Sequence, residues 1–111
     1  MRCELTAVDK QALTTFRDTL QGHFAERLLD CRLFGSKARG EGTLASDLDV
    51  LVVIDDMQYQ DKRWIITCGA DVSLEYLVEM SPLALSPQQF NHLLQRERRL
   101  ALDIEREGIP L

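Results

Sequence analysis

Val50-Leu51-Val52-Val53-Ile54 is the longest apolar run in the chain, and it has no polar interruption. β-Branched side chains favour extended backbone, and apolar groups on both alternating faces need cover on both sides. The run therefore predicts a strand over Asp47–Ile54 at the centre of a sheet. It is far shorter than the roughly 20 residues a membrane-spanning helix requires.

The flanking patterns supply that cover. Leu13, Phe16, Leu20 and Phe24 recur at steps of three and four, which predicts a helix over about Val8–Ala25. Asp9 near its start suits the positive end of the helix dipole. Leu28–Phe34 reads as a strand, followed by a polar, glycine-bearing stretch over Gly35–Ser46. Asp55 and Asp56 close the central strand. Trp64, Ile65, Cys68, Val72 and Tyr76 line one side of a helix over Asp61–Tyr76, although Gly69 weakens it. Val78–Leu85 is a third strand, at an edge or a bulge because of Pro82. Pro87–Glu107 reads as one long helix, with Ser86 as its N-cap and Phe90, Leu93, Leu94, Ala101 and Ile104 as its buried stripe. The fold class is α+β: a small mixed sheet with helices packed on it.

Chain length fits one domain over residues 1–111, enough to bury about two thirds of the unfolded surface. Thirteen basic against eighteen acidic side chains give 13 − 18 = −5. That balance argues against broad nucleic-acid binding, which needs a basic surface. A single nucleotide is still admitted, because a metal ion can neutralise a triphosphate locally. Cys3, Cys31 and Cys68 form no C-x-x-C pair, and neither His23 nor His92 stands at zinc-finger spacing from them. Buried, reduced thiols follow. With Glu4 and Asp9 near the start and no long apolar segment there, the expectation is a cytoplasmic protein without a signal peptide.

Chemistry concentrates in two places. Asp47 and Asp49 lie two apart on the central strand, so both carboxylates point to one face. Such a pair can converge on one or two hard divalent cations, with Mg²⁺ taking phosphate oxygens at its other positions. The plainer reading is two acids capping a strand beside a solvated loop. The preceding turn favours the cation. Gly35 permits close approach of the backbone to a phosphate, Ser36 adds a hydroxyl and an N–H, and Lys37 and Arg39 bring positive charge. For Arg39 a surface ion pair with Glu41 is the alternative. The Walker and G-x-G-x-x-G patterns are absent, and an EF-hand fails because Leu51 stands where a third oxygen ligand belongs. His23 and His92 read as surface residues, and Trp64 and Tyr76 as core packing.

Gly35-Ser36, ten intervening residues and Asp47-x-Asp49 resemble the signature of the DNA polymerase beta-like nucleotidyltransferase superfamily. The fuller string Gly35-Ser36-Lys37-Ala38-Arg39-Gly40 and Ser46-Asp47-Leu48-Asp49-Val50 resembles its minimal nucleotidyltransferases, short prokaryotic proteins often paired with HEPN-domain partners. The likeness is strongest over residues 33–54; Val78–Pro82 and Arg106–Pro110 share it more weakly.

This resemblance implies a polymerase beta-like palm fold and a three-carboxylate site holding two Mg²⁺ around ATP. Asp47 and Asp49 match the first two acids. Glu79 stands at the third position, where the family usually has Asp; Asp71 and Glu75 are rivals. Gly35 and Ser36 would hold the β- and γ-phosphates, with Lys37, Arg39 and Ser46 alongside. The implied activity is transfer of AMP to a hydroxyl, a tyrosine's, on a HEPN ribonuclease toxin, which makes this chain an antitoxin. A small-molecule adenylyltransferase of the aminoglycoside type and a non-catalytic binding antitoxin are the alternatives. No second domain fits within this length to grip an acceptor, so a docking protein is expected, with Pro87–Glu107 and Ile109-Pro110-Leu111 as candidate contact surfaces. No direct DNA or membrane binding is expected.

Overall fold

The structure, a computed structural model, describes residues 5–38, 40 and 47–111. Helix α1 (Ala7–Phe24) leads through a 3-10 turn (Ala25–Arg27) into β1 (Leu28–Phe34). Then follow β2 (Leu48–Ile54), α2 (Tyr59–Tyr76), β3 (Met80–Leu85), α3 (Pro87–Arg96), α4 (Arg98–Glu107) and β4 (Ile109–Pro110). The sheet order is β3-β2-β1-β4. β1 runs antiparallel to both β2 and β4, and β3 runs parallel to β2.

β2 is central, as its composition requires, and alternation divides its side chains between two cores. Leu48, Val50, Val52 and Ile54 join Phe16, Leu20 and Phe24 of α1 and Ile65, Cys68 and Val72 of α2. Leu51 and Val53 face the other way, under Phe90 of α3 and Leu100 and Ile104 of α4. The sheet is thus covered on both faces. β3 lies at the edge, where Pro82 has no missing ladder bond to answer for.

Gly69 has a packing reason inside α2. A Cβ there would lie 3.0 Å from Cγ of Pro82, so any larger residue would require the helix or the proline ring to give by a few tenths of an ångström. α1 begins with a capping box in which Thr6 accepts from the Asp9 N–H and Asp9 accepts from the Thr6 N–H. Arg27 ties the far end of β2 to α2: it donates to the carbonyls of Asp55 and Asp56 and pairs with Asp61 at 2.6 Å.

Two expectations change. Pro87–Glu107 is not one helix, because Glu97 leaves helical geometry (φ −115°, ψ 69°) and separates α3 from α4. Between Leu94 and Leu100 the stripe holds no apolar side chain, so the core does not hold the middle straight. The tail Ile109-Pro110-Leu111 is also taken up by the sheet. Ile109 and Pro110 pair with Leu33 and Arg32, and the Leu111 N–H donates to the Cys31 carbonyl at 2.9 Å. Among the described residues, no helix is long and apolar enough to cross a membrane.

Candidate active site

The face of β2 that carries Leu51 and Val53 begins with carboxylates. Asp49 is half-buried and Asp47 exposed. Burial first, and the charge of Asp47 second, push the Asp49 carboxyl above its ordinary value. Two like charges on one strand at a partly desolvated position are a cost that a cation would relieve.

The turn after β1 sits directly on this acid. Phe34 pairs with Asp49 across the ladder, and Gly35 then reverses the chain at φ +80°. A Cβ on Gly35 would stand 2.5 Å from Oδ2 of Asp49. Both the left-handed backbone and the missing side chain are therefore required, and turn and carboxylate form one continuous surface. Ser36 follows, half-buried.

Lys37 is placed differently from the expectation that it lies alongside phosphates. Its ammonium points inward and pairs with Asp9 of α1 at 3.1 Å, in a setting where both side chains are almost completely buried. Arg39 and Ser46 lie outside the described residues, as does the suggested Arg39–Glu41 pair.

Glu79 comes just before β3. Leu48 pairs with Met80 in the parallel ladder, and the Leu48 N–H donates to the Glu79 carbonyl at 2.7 Å. The register puts Glu79 beside Asp47, with its side chain exposed. Ser73 fixes this entry: its hydroxyl donates to the Gly69 carbonyl at 2.8 Å and accepts from the Met80 N–H at 3.0 Å. The rivals Asp71 and Glu75 belong to α2, which covers the opposite sheet face; they line a groove with Thr15, Thr19 and Trp64. They do not share a surface with Asp49.

Among the described residues, no three His, Cys, Asp or Glu side chains converge as a metal cluster. Asp47 and Asp49 nevertheless suit a hard divalent ion. They supply carboxylate oxygens from one face, with a mutual repulsion the ion would offset. Glu79 neighbours the pair in register without closing a three-acid cluster.

His23 is exposed, as expected, but lies flat on Trp64 with ring centroids 3.8 Å apart, while Phe24 meets Trp64 edge-on. Trp64 thus serves packing. Cys31 and Cys68 are buried free thiols; burial is the main cause that pushes Cys31 up to about 12 and raises Cys68. Three features escape the sequence pattern: the Lys37–Asp9 pair, the Ser73 clip and the contact of Gly35 with Asp49. Only the last had a local signal, the Gly-Ser dipeptide after a strand.

A mixed sheet bearing paired acids on its central strand beside a Gly-Ser turn defines the class, a nucleotide-handling α+β domain. Residues 13–105 match the family model of the nucleotidyltransferase domain, and the chain belongs to that family; it is a nucleotidyltransferase. Two proteins of Methanocaldococcus jannaschii, each named "putative protein adenylyltransferase", are similar to it. One is 31% identical over 83 residues, covering 75% of this chain and 79% of the relative. The other is 31% identical over 74 residues, covering 66% and 75%. The fold is also similar to the crystal structure of a "putative nucleotidyltransferase" from Sulfolobus solfataricus. The TM-score is 0.51 at 15% identity, with 95% of this chain and 86% of that one covered.

Proposed function

We propose that this chain is a Mg²⁺-dependent protein adenylyltransferase that moves AMP from ATP to a tyrosine hydroxyl of a HEPN ribonuclease toxin, and so acts as antitoxin. The observation that carries the nucleotide chemistry is Gly35 seated against Asp49: the phosphate turn and the acids are a single surface. A protein acceptor is supported by the names of the two archaeal relatives, whose lengths this chain largely spans. The HEPN partner is supported by the sequence resemblance over residues 33–54.

In this reading Asp47 and Asp49 ligate the metal, and Gly35 and Ser36 receive the β- and γ-phosphates; a part for Arg39 and Ser46 rests on the sequence resemblance alone. The chemistry supplied by bound Mg²⁺ is neutralisation of the triphosphate and acidification of the acceptor hydroxyl. Glu79, exposed beside Asp47, accepts the hydroxyl proton. The hydroxyl oxygen bonds to the α-phosphorus, the bond from that phosphorus to the bridging oxygen breaks, and pyrophosphate leaves with the electron pair.

The test is a transfer assay with α-phosphate-labelled ATP, Mg²⁺ and, as acceptor, a HEPN-domain protein encoded by a neighbouring gene where one is found. Label should appear on that protein and vanish with the Asp47→Asn/Asp49→Asn double variant. Label on an aminoglycoside hydroxyl alone would replace the acceptor. A tight complex without label would leave binding as the mode of neutralisation.

A further inference from the structure

We propose that Asp9 and Lys37 are a positioning pair that holds the nucleotide-binding turn at its working distance from Asp49; the proposal rests on the nucleotidyltransferase reading of that turn. Among the described residues, these two are the charged side chains taken fully into the interior, Asp9 at 3% exposure and Lys37 at 6%. Oδ2 of Asp9 accepts from the Lys37 ammonium and from the Thr6 N–H, each at 3.1 Å. The same carboxylate thus finishes the N-terminus of α1 and anchors the loop.

A buried ion pair is a poor device for stability alone, since apolar side chains of similar volume commonly do as well. What it provides is direction. Ala38, next in sequence, packs against the core cluster to which α1 contributes, and the Gly40 N–H closes a turn on the Lys37 carbonyl at 3.3 Å. Ser36 is therefore bracketed, by Gly35 against Asp49 on one side and by Lys37 locked to α1 on the other. α1 is a firm anchor, because Ala12, Phe16 and Leu20 on its inner side are wholly buried.

A different role for Lys37 predicts the opposite sign. If its ammonium left Asp9 to grip the triphosphate, removing the Asp9 charge would free it and tighten nucleotide binding. If the pair positions the turn, the same change loosens binding. Asp9 lies on α1, away from the acids, so Asp9→Asn separates the two.

The experiment titrates a fluorescent ATP analogue with Mg²⁺ into wild type, Asp9→Asn, Lys37→Met, the double variant and Lys37→Arg, each confirmed folded by its melting curve. Positioning predicts about tenfold weaker binding in each single loss, as for groups that orient ligands from behind. The double variant should be no worse than the singles, and Lys37→Arg should recover part of the loss. Amide exchange at Ser36 and Lys37 without nucleotide should quicken in Asp9→Asn, a readout independent of activity and of nucleotide. Tighter or unchanged binding in folded Asp9→Asn overturns the proposal, as does unchanged exchange. Failure of wild type to bind the analogue, with exchange still quickened by Asp9→Asn, would instead overturn the nucleotide reading and leave the structural hold intact.

Discussion

In the proposed reading, Asp49 is a residue whose function works against its fold. Its carboxyl is raised by burial and by Asp47, so the native state favours its protonated form more than the unfolded chain does. At neutral pH the ionised group therefore subtracts from stability. Asp49→Asn should raise Tm in a thermal melt while cutting AMP transfer by about 10²–10⁴, the usual cost of losing a catalytic proton-transfer or ligand group. A variant that lost both would mark Asp49 as a structural residue. The acids and Gly35 were legible in the sequence because their signal is local: Asp-x-Asp opening an apolar strand, separated by ten residues from a Gly-Ser pair. The fate of Lys37 was not, because its partner lies 28 residues away on another element and nothing near position 37 marks a buried charge.

Among the elements, periodicity served best where a stripe was continuous. β2 and the inner faces of α1 and α2 stand where their patterns place them, and Pro82 marks the sheet edge. The break at Glu97 was hidden by matching stripes on either side of a polar stretch. β4 was hidden because two residues are too few for any period. Two element ends make predictions. Leu77 ends α2 in the left-handed region at φ 55° while 88% exposed, so its side chain contributes little and strains the backbone. Leu77→Gly should stabilise the fold by about 0.5–1 kcal/mol in a denaturant titration. At the other end, the hydrogen bond from Arg27, with a smaller one from the Gln58 N–H, lowers the Asp61 carboxyl. A lowered carboxylate contributes stability above its unfolded value and loses it as pH falls through the folded one. Melting curves from neutral pH downward should show Asp61→Asn less stable than wild type near neutrality, the gap closing below the ordinary carboxylate value of about 4. A gap constant with pH would assign the clamp to packing instead.

At the scale of the molecule, the net charge of −5 accords with the proposed substrate, a single metal-neutralised triphosphate. The site is assembled from contacts of unequal reach. Gly35 and Asp49 meet through the antiparallel pairing of β1 with β2, which are neighbours in sequence, and Asp47 comes with Asp49 two residues along the same chain. Glu79 joins only through the parallel pairing of β2 with β3, after the whole of α2 has crossed over. Non-local parallel pairing is the slower event in folding. In the proposed reading the parallel ladder thus acts as a quality gate for the chain: until it closes, Glu79 is not beside Asp47, and a bound nucleotide would have no acid at hand to let it be spent.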